Sequence, residues 1–173
     1  MADVFSNPLE IVHPPFQSIE TLSLQEGTVG LVSNPKGITP VPLVGGEWLT
    51  MFGGGVIEKL SRATSGEAEP MLFVGELGMT DMQASAEKKG PIALERPRII
   101  KTKVISGASA LAAGEEVMVG NVTYNSQTRA GLVKMTGAGV YVVGKVISVG
   151  TNTGDPDGSW WKVLLYNQPR LTP

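Results

Sequence analysis

Apolar residues in this chain fall in short runs separated by turn residues, most regularly in its last third. The runs are Ile99–Ile105, Val117–Tyr124, Leu132–Met135, Val140–Val149 and Trp160–Tyr166. Gly107 with Gly114, Asn125–Gly131, Gly137-Ala138-Gly139 and Gly150–Ser159 punctuate them. Short runs rich in β-branched and aromatic residues at this spacing predict successive strands of a small β-barrel or β-sandwich. Their alternation is incomplete. Neighbouring side chains on a strand point to opposite faces, so Trp161, Val163 and Leu165 share one face and Trp160, Lys162, Leu164 and Tyr166 the other. Likewise Val140, Val142 and Val146 oppose Tyr141, Val143, Ile147 and Val149. A half-solvated antiparallel strand carries a polar face. Two substantially apolar faces therefore predict that the second is covered, by the N-terminal half or by another subunit.

The remainder of the chain is less regular. Residues 1–20 hold Pro8, Pro14 and Pro15 among Val4, Phe5, Leu9, Ile11, Val12 and Phe16. Proline opposes a helix or a central strand there, and the apolar content opposes plain disorder. An extended N-terminal arm that buries its side chains on another surface satisfies both. Residues 21–98 read as a β-rich lobe, with strands expected at Ser23–Leu24, Thr28–Ser33, Ile38–Val44 and Trp48–Phe52 and turns at Asn34-Pro35-Lys36-Gly37 and Gly45-Gly46. Val56–Ala63 fits a helical turn or a strand. Thr80 and Gln83 make a capping box, Asp81 and Lys88-Lys89 suit the helix dipole, and Gly90-Pro91 stops the chain, which predicts one short helix over Asp81–Lys89. Pro91 to Pro97 reads as a linker to a C-terminal barrel or sandwich over residues 99–167, followed by an extended tail over residues 168–173.

Composition narrows the function classes. The 173 residues allow one domain, or one domain with an arm, and 22 glycines with 12 prolines favour turns over long helices. The net charge of −2 gives no electrostatic case for nucleic acid. That charge is uneven: residues 1–98 carry 7 Lys/Arg against 12 Asp/Glu (−5), and residues 99–173 carry 7 against 4 (+3), so an acidic arm could lie on a basic body. Without cysteine there is no disulfide, thiolate metal site or Cys nucleophile. The first residues lack the basic and apolar regions of a signal peptide, and no apolar run approaches the about 18 residues of a membrane span.

Candidate chemistry is sparse. His13 is the only histidine, and a triad or histidine metal site needs supporting residues. Asp155-Pro156-Asp157-Gly158 begins like a calcium loop but lacks the closing Glu, and reads as a tight turn. Gly53-Gly54-Gly55 and Gly137-Ala138-Gly139 lack phosphate-loop spacing. Glu115-Glu116 and the pair Glu67 and Glu69 have no assignable acid–base partner. No catalytic, cofactor-binding or metal-binding residue is therefore expected, and no enzyme activity. Trp48, Trp160 and Trp161 would serve a carbohydrate-binding module only if they converged. Interfaces favour Trp, Tyr and Arg. Candidate contacts are Phe5, Ile11, Val12 and Phe16 on the arm, and Trp160, Tyr166 and Arg170 on the body.

One resemblance sharpens this picture. Ala112-Ala113-Gly114-Glu115-Glu116-Val117-Met118-Val119-Gly120, then Gly131-Leu132-Val133-Lys134, then Val140–Ser148, resembles the head decoration (capsid cement) proteins of tailed bacteriophages. The resemblance covers roughly residues 99–167. It implies a β-tulip-like body with an ordered arm, without catalytic residues, that binds the major capsid protein from outside and stabilises the shell. It also implies a virion protein made in the host cytoplasm, self-associating as a dimer or trimer. Another virion part, in the tail, neck or fibre base, is the alternative.

Overall fold

The computed structural model describes residues 8–13, 19–23, 43–51, 60–63, 69–75, 89–93, 96–106, 111–124, 126–151 and 159–173. Among these residues the chain is mainly β, with no helix. The strands are β1 (Leu9–His13), β2 (Ile19–Ser23), β3 (Trp48–Met51), β4 (Leu60–Arg62), β5 (Met71–Leu72) and β6 (Lys89–Ala93), followed by β7 (Ile99–Thr102), β8 (Glu116–Tyr124), β9 (Gln127–Lys134), β10 (Tyr141–Thr151) and β11 (Ser159–Leu171). A six-stranded sheet runs β1-β7-β11-β10-β8-β9, with a three-stranded sheet β4-β3-β5 and a two-stranded one β2-β6 beside it. Every strand pair in the large sheet is antiparallel. A parallel bridge from Ile105 to Leu132 ties the chain just past β7 to β9 at the far edge. Among the described residues the ladder does not continue beyond it, and a closed barrel is not shown.

The inner face of the large sheet follows from its register. Ile11, Ile100, Val163 and Val146 stand opposite one another across β1, β7, β11 and β10. Ile100, Val163 and Val146 are buried and Ile11 packs against the same cluster. That cluster also takes in Trp48, Ala63, Leu72, Val74 and Ala93, so the small sheets and the large one share one core. Trp48, Ala63, Leu72, Val74 and Ala93, within the expected N-terminal lobe, thus pack into the same core as the C-terminal strands. The arm, too, is partly body: Leu9–His13 is extended as expected, but it pairs with β7 of its own chain and Leu9 is buried. Residues 1–7 and 14–18 lie outside the described residues.

Several boundaries differ from the sequence pattern, each for a physical reason. The loop expected over Asn125–Gly131 is shorter, because β9 already begins at Gln127, paired with Tyr124. Its polar sequence is masked by burial of Arg129, whose guanidinium meets Glu47 at 2.5 Å, the two side chains being 5% and 0% exposed. Gly131 completes the disguise, since a Cβ there would lie 2.5 Å from the Val104 carbonyl oxygen. Pro91, expected to open a linker, sits inside β6. Its one laddered neighbour among the described strands is β2, and the other edge carries only a single bridge, from Ile92 to Phe73, which leaves Pro91 without a partner needing its missing N–H on that side. The ambiguous Val56–Ala63 includes strand β4. Leu43 and Val44, expected in a strand, lie in a buried turn where Glu47 Oε1 accepts from the Val44 N–H at 3.0 Å. Gly46 closes that turn at φ +90°, a left-handed conformation suited to glycine. The expected helix over Asp81–Lys89 lies outside the described residues apart from Lys89, which opens β6.

The tail is extended but not loose. Arg170 and Leu171 pair with Val142 and Tyr141, making residues 168–171 the end of β11. Between Leu165, which faces Gly144, and Arg170, which faces Val142, β11 carries several more residues than β10. This bulge starts at Tyr166.

Candidate docking surface

The outer face of the large sheet follows from the same register. Glu10, Lys101, Lys162 and Ser148 stand opposite one another across β1, β7, β11 and β10. In the adjacent row, His13, Ile99, Leu164, Lys145 and Glu116 do so across β1, β7, β11, β10 and β8. Bulges between Ile11 and His13 and between Val146 and Ser148 keep these residues on one face. In these two rows the outer face bears lysines with apolar residues between the charges. Farther along the sheet, Val142 and Met118, in register with Arg170, are buried.

Its charges are only partly answered. Lys101 Nζ binds the Glu10 carboxylate at 3.0 and 3.1 Å. Lys145 stands opposite Glu116, but Glu116 Oε1 is engaged by the Arg170 guanidinium and by the Tyr166 hydroxyl at 3.1 Å. Lys145 and Lys162 have no ion-pair partner among the described residues. Lys103 sits 4.9 Å from the Trp160 ring centroid, in cation–π range. Burial, reinforced by the hydrogen bond to Glu116, raises the Tyr166 phenol above its ordinary pKa.

The candidate contacts read from sequence thus divide cleanly. Tyr166 and Arg170 meet at Glu116, whereas Trp160 lies apart from them by Lys103; Trp160 and Tyr166 are half-buried, and Arg170 is exposed. Ile11 and Val12 are half-buried on edge strand β1. Phe5 and Phe16 lie outside the described residues. Sequence reasoning passed over Lys101, Lys145 and Lys162, because their cross-strand alignment exists only once the register is known. Among the described residues the large apolar side chains that stand exposed are Ile147 at 39%, Val149 at 44% and Leu171 at 53%.

Other chemistry does not assemble. Trp48 is fully buried, Trp161 packs against the core and Trp160 lies by Lys103, so the tryptophans form no common sugar platform. Among the described residues no group of three or more His, Cys, Asp or Glu could hold a metal ion. Among the described residues no helix is long and apolar enough to cross a membrane. No protein-family model matches the chain, and no curated protein or solved structure does either.

Proposed function

We propose that the protein is a docking and stabilising component of a virion. It binds the outer surface of a tailed-bacteriophage capsid through the outer face of its six-stranded sheet. The observation that carries this reading is the pair of cross-strand rows, with lysines at Lys101, Lys145 and Lys162 and with Ile99 and Leu164 between them. Directly opposed like charges on a sheet destabilise the fold. Their presence on a face flanked by Trp160, Tyr166 and Arg170 suits a surface used against a partner, because steering by charge and anchoring by aromatic residues divide the work of an interface.

The body expected from the resemblance, β-tulip-like and rolled toward a barrel, is supported by the Ile105–Leu132 bridge between distant parts of the sheet. Edge strand β1 would carry the arm contacts, with Ile11 and Val12 nearest the sheet. The partner is the major capsid protein, with self-association into a dimer or trimer on the lattice; no enzyme step, cofactor or nucleic acid enters. Sedimentation of the protein mixed with matching capsids tests this. Saturable co-sedimentation at a fixed ratio to capsid subunits is expected. Protein that stays in the supernatant at every ratio would refute the capsid reading.

A further inference from the structure

A second feature lies where the β11 bulge meets the small sheets. An open cleft of about 460 Å³ is lined by Arg96, Tyr141, Asn167, Gln168 and Glu69. Pro70, Leu72 and Pro169 supply apolar wall. The volume falls within the ordinary range for small-ligand sites, about 300–1,000 Å³.

Arg96 is the unusual member. Its Nη1 donates to the Tyr166 carbonyl at 3.2 Å and its Nη2 to the Pro70 carbonyl at 3.0 Å. Its guanidinium carbon sits 5.7 Å from the centroid of the buried Trp48 ring. These contacts fix the fork in place, yet none brings a negative charge, and Arg96 has no carboxylate partner among the described residues. Burial lowers its pKa from the ordinary value. A guanidinium has five N–H donors, so donors remain beyond the two bonds described. The carboxamides of Asn167 and Gln168 and the hydroxyl of Tyr141 make no hydrogen bond to another described residue. Among the described residues the cleft therefore gathers unspent donors around one fixed cation.

We propose that this cleft binds a carboxylate, held by the free N–H groups of Arg96 and by the side chains of Tyr141, Asn167 and Gln168. A planar carboxylate matches a guanidinium fork. A single cation between apolar walls favours a monoanion over a dianion such as phosphate, because the second charge would be desolvated without a partner. Exposed Glu69, in a cleft smaller than the screening length, adds to that selection against a second negative charge. The carboxylate belongs either to a free organic acid or to the end of a polypeptide. The site stands independently of the capsid reading, since it lies on different residues from the lysine rows.

The test is an NMR titration of the full chain, following the Arg96 Nε–H and the Asn167 and Gln168 side-chain amides. Benzoate is the probe, with benzamide and phenyl phosphate as controls. Saturable benzoate shifts are expected with a Kd on the order of 1 mM, with benzamide giving none. Joint Asn167→Ala and Gln168→Ala substitution, on exposed positions that leave the fold intact, should weaken benzoate several-fold. Arg96→Lys, which keeps the charge and loses the fork, should weaken it by about tenfold. A short peptide with a free C-terminus, compared with its amidated form, separates the two sources: preference for the free-acid peptide over benzoate assigns a chain end, and the reverse order a small acid. Equal binding of benzamide, tighter binding of phenyl phosphate, or no saturable shift up to tens of millimolar, on the order of 50 mM, would overturn the proposal.

Discussion

Lys101 and Lys162 stand directly opposite each other across β7 and β11 on the outer face of the six-stranded sheet. Only Lys101 has an ion-pair partner among the described residues, Glu10 at 3.0 Å. An opposed like-charge pair costs about 0.2–1 kcal/mol relative to a neutral one. Lys162→Glu should therefore raise folding stability by an amount in that range, and salt should shrink the gain by screening it. Urea unfolding at low and high ionic strength reads both. The same substitution should weaken partner binding, so that stability and docking move in opposite directions.

The ion pair between Glu47 and Arg129 behaves differently, because it is buried. It joins the turn after Leu43 to β9. Removing one member leaves an uncompensated charge in the interior, at a cost of about 3–5 kcal/mol. Glu47→Gln is expected to lower the unfolding midpoint sharply. Replacing both residues with apolar ones of similar size should recover most of that loss in the same denaturation assay.

Gly131 is held by space rather than by conformation. A Cβ there would meet the Val104 carbonyl oxygen and Val122 Cγ2, each at 2.5 Å. Neither backbone nor packed core can yield cheaply, so Gly131→Ala should destabilise by about 1–3 kcal/mol, the usual range for overpacking. Gly137→Ala provides the contrast: no atom lies within 4 Å of its would-be Cβ, although its φ of +84° still strains any side chain. Comparing the two in thermal unfolding separates steric from conformational cost.

Tyr166 carries a pH signature. Its phenol is raised above the ordinary value, first by burial and then by its hydrogen bond to Glu116. For a group raised on folding, the associated stability is complete below the unfolded pKa, about 10. It is lost as pH rises through the higher folded value. Ultraviolet titration should show a phenol step above the ordinary tyrosine range, assigned to Tyr166. Tyr166→Phe should abolish that late step and flatten the alkaline decline in stability.

How legible this fold was depended on the kind of residue involved. The strands of the last third stood out because Val117, Val119, Val142, Val146, Val163 and Leu165 are apolar and buried, as their pattern implied. The start of β9 did not, because Gln127, Thr128 and Arg129 look like loop residues until Glu47, distant in sequence, is seen to neutralise Arg129. Tyr166 and Arg170 were readable as contact residues by type. Their common partner Glu116 was not, because it reaches them across β10. The lysine rows and the Arg96 cleft belong to register and to a bulge, which no local pattern encodes.

The central claim is that the lysine-bearing face of the sheet is the docking surface. The most direct test is a capsid co-sedimentation titration comparing the wild-type chain with a Lys145→Glu, Lys162→Glu double variant, after circular dichroism has verified that the variant is folded. Saturable wild-type binding that weakens with salt, and a loss of at least about tenfold in the folded variant, is the predicted result. A variant that binds capsids as tightly as the wild type would contradict the claim.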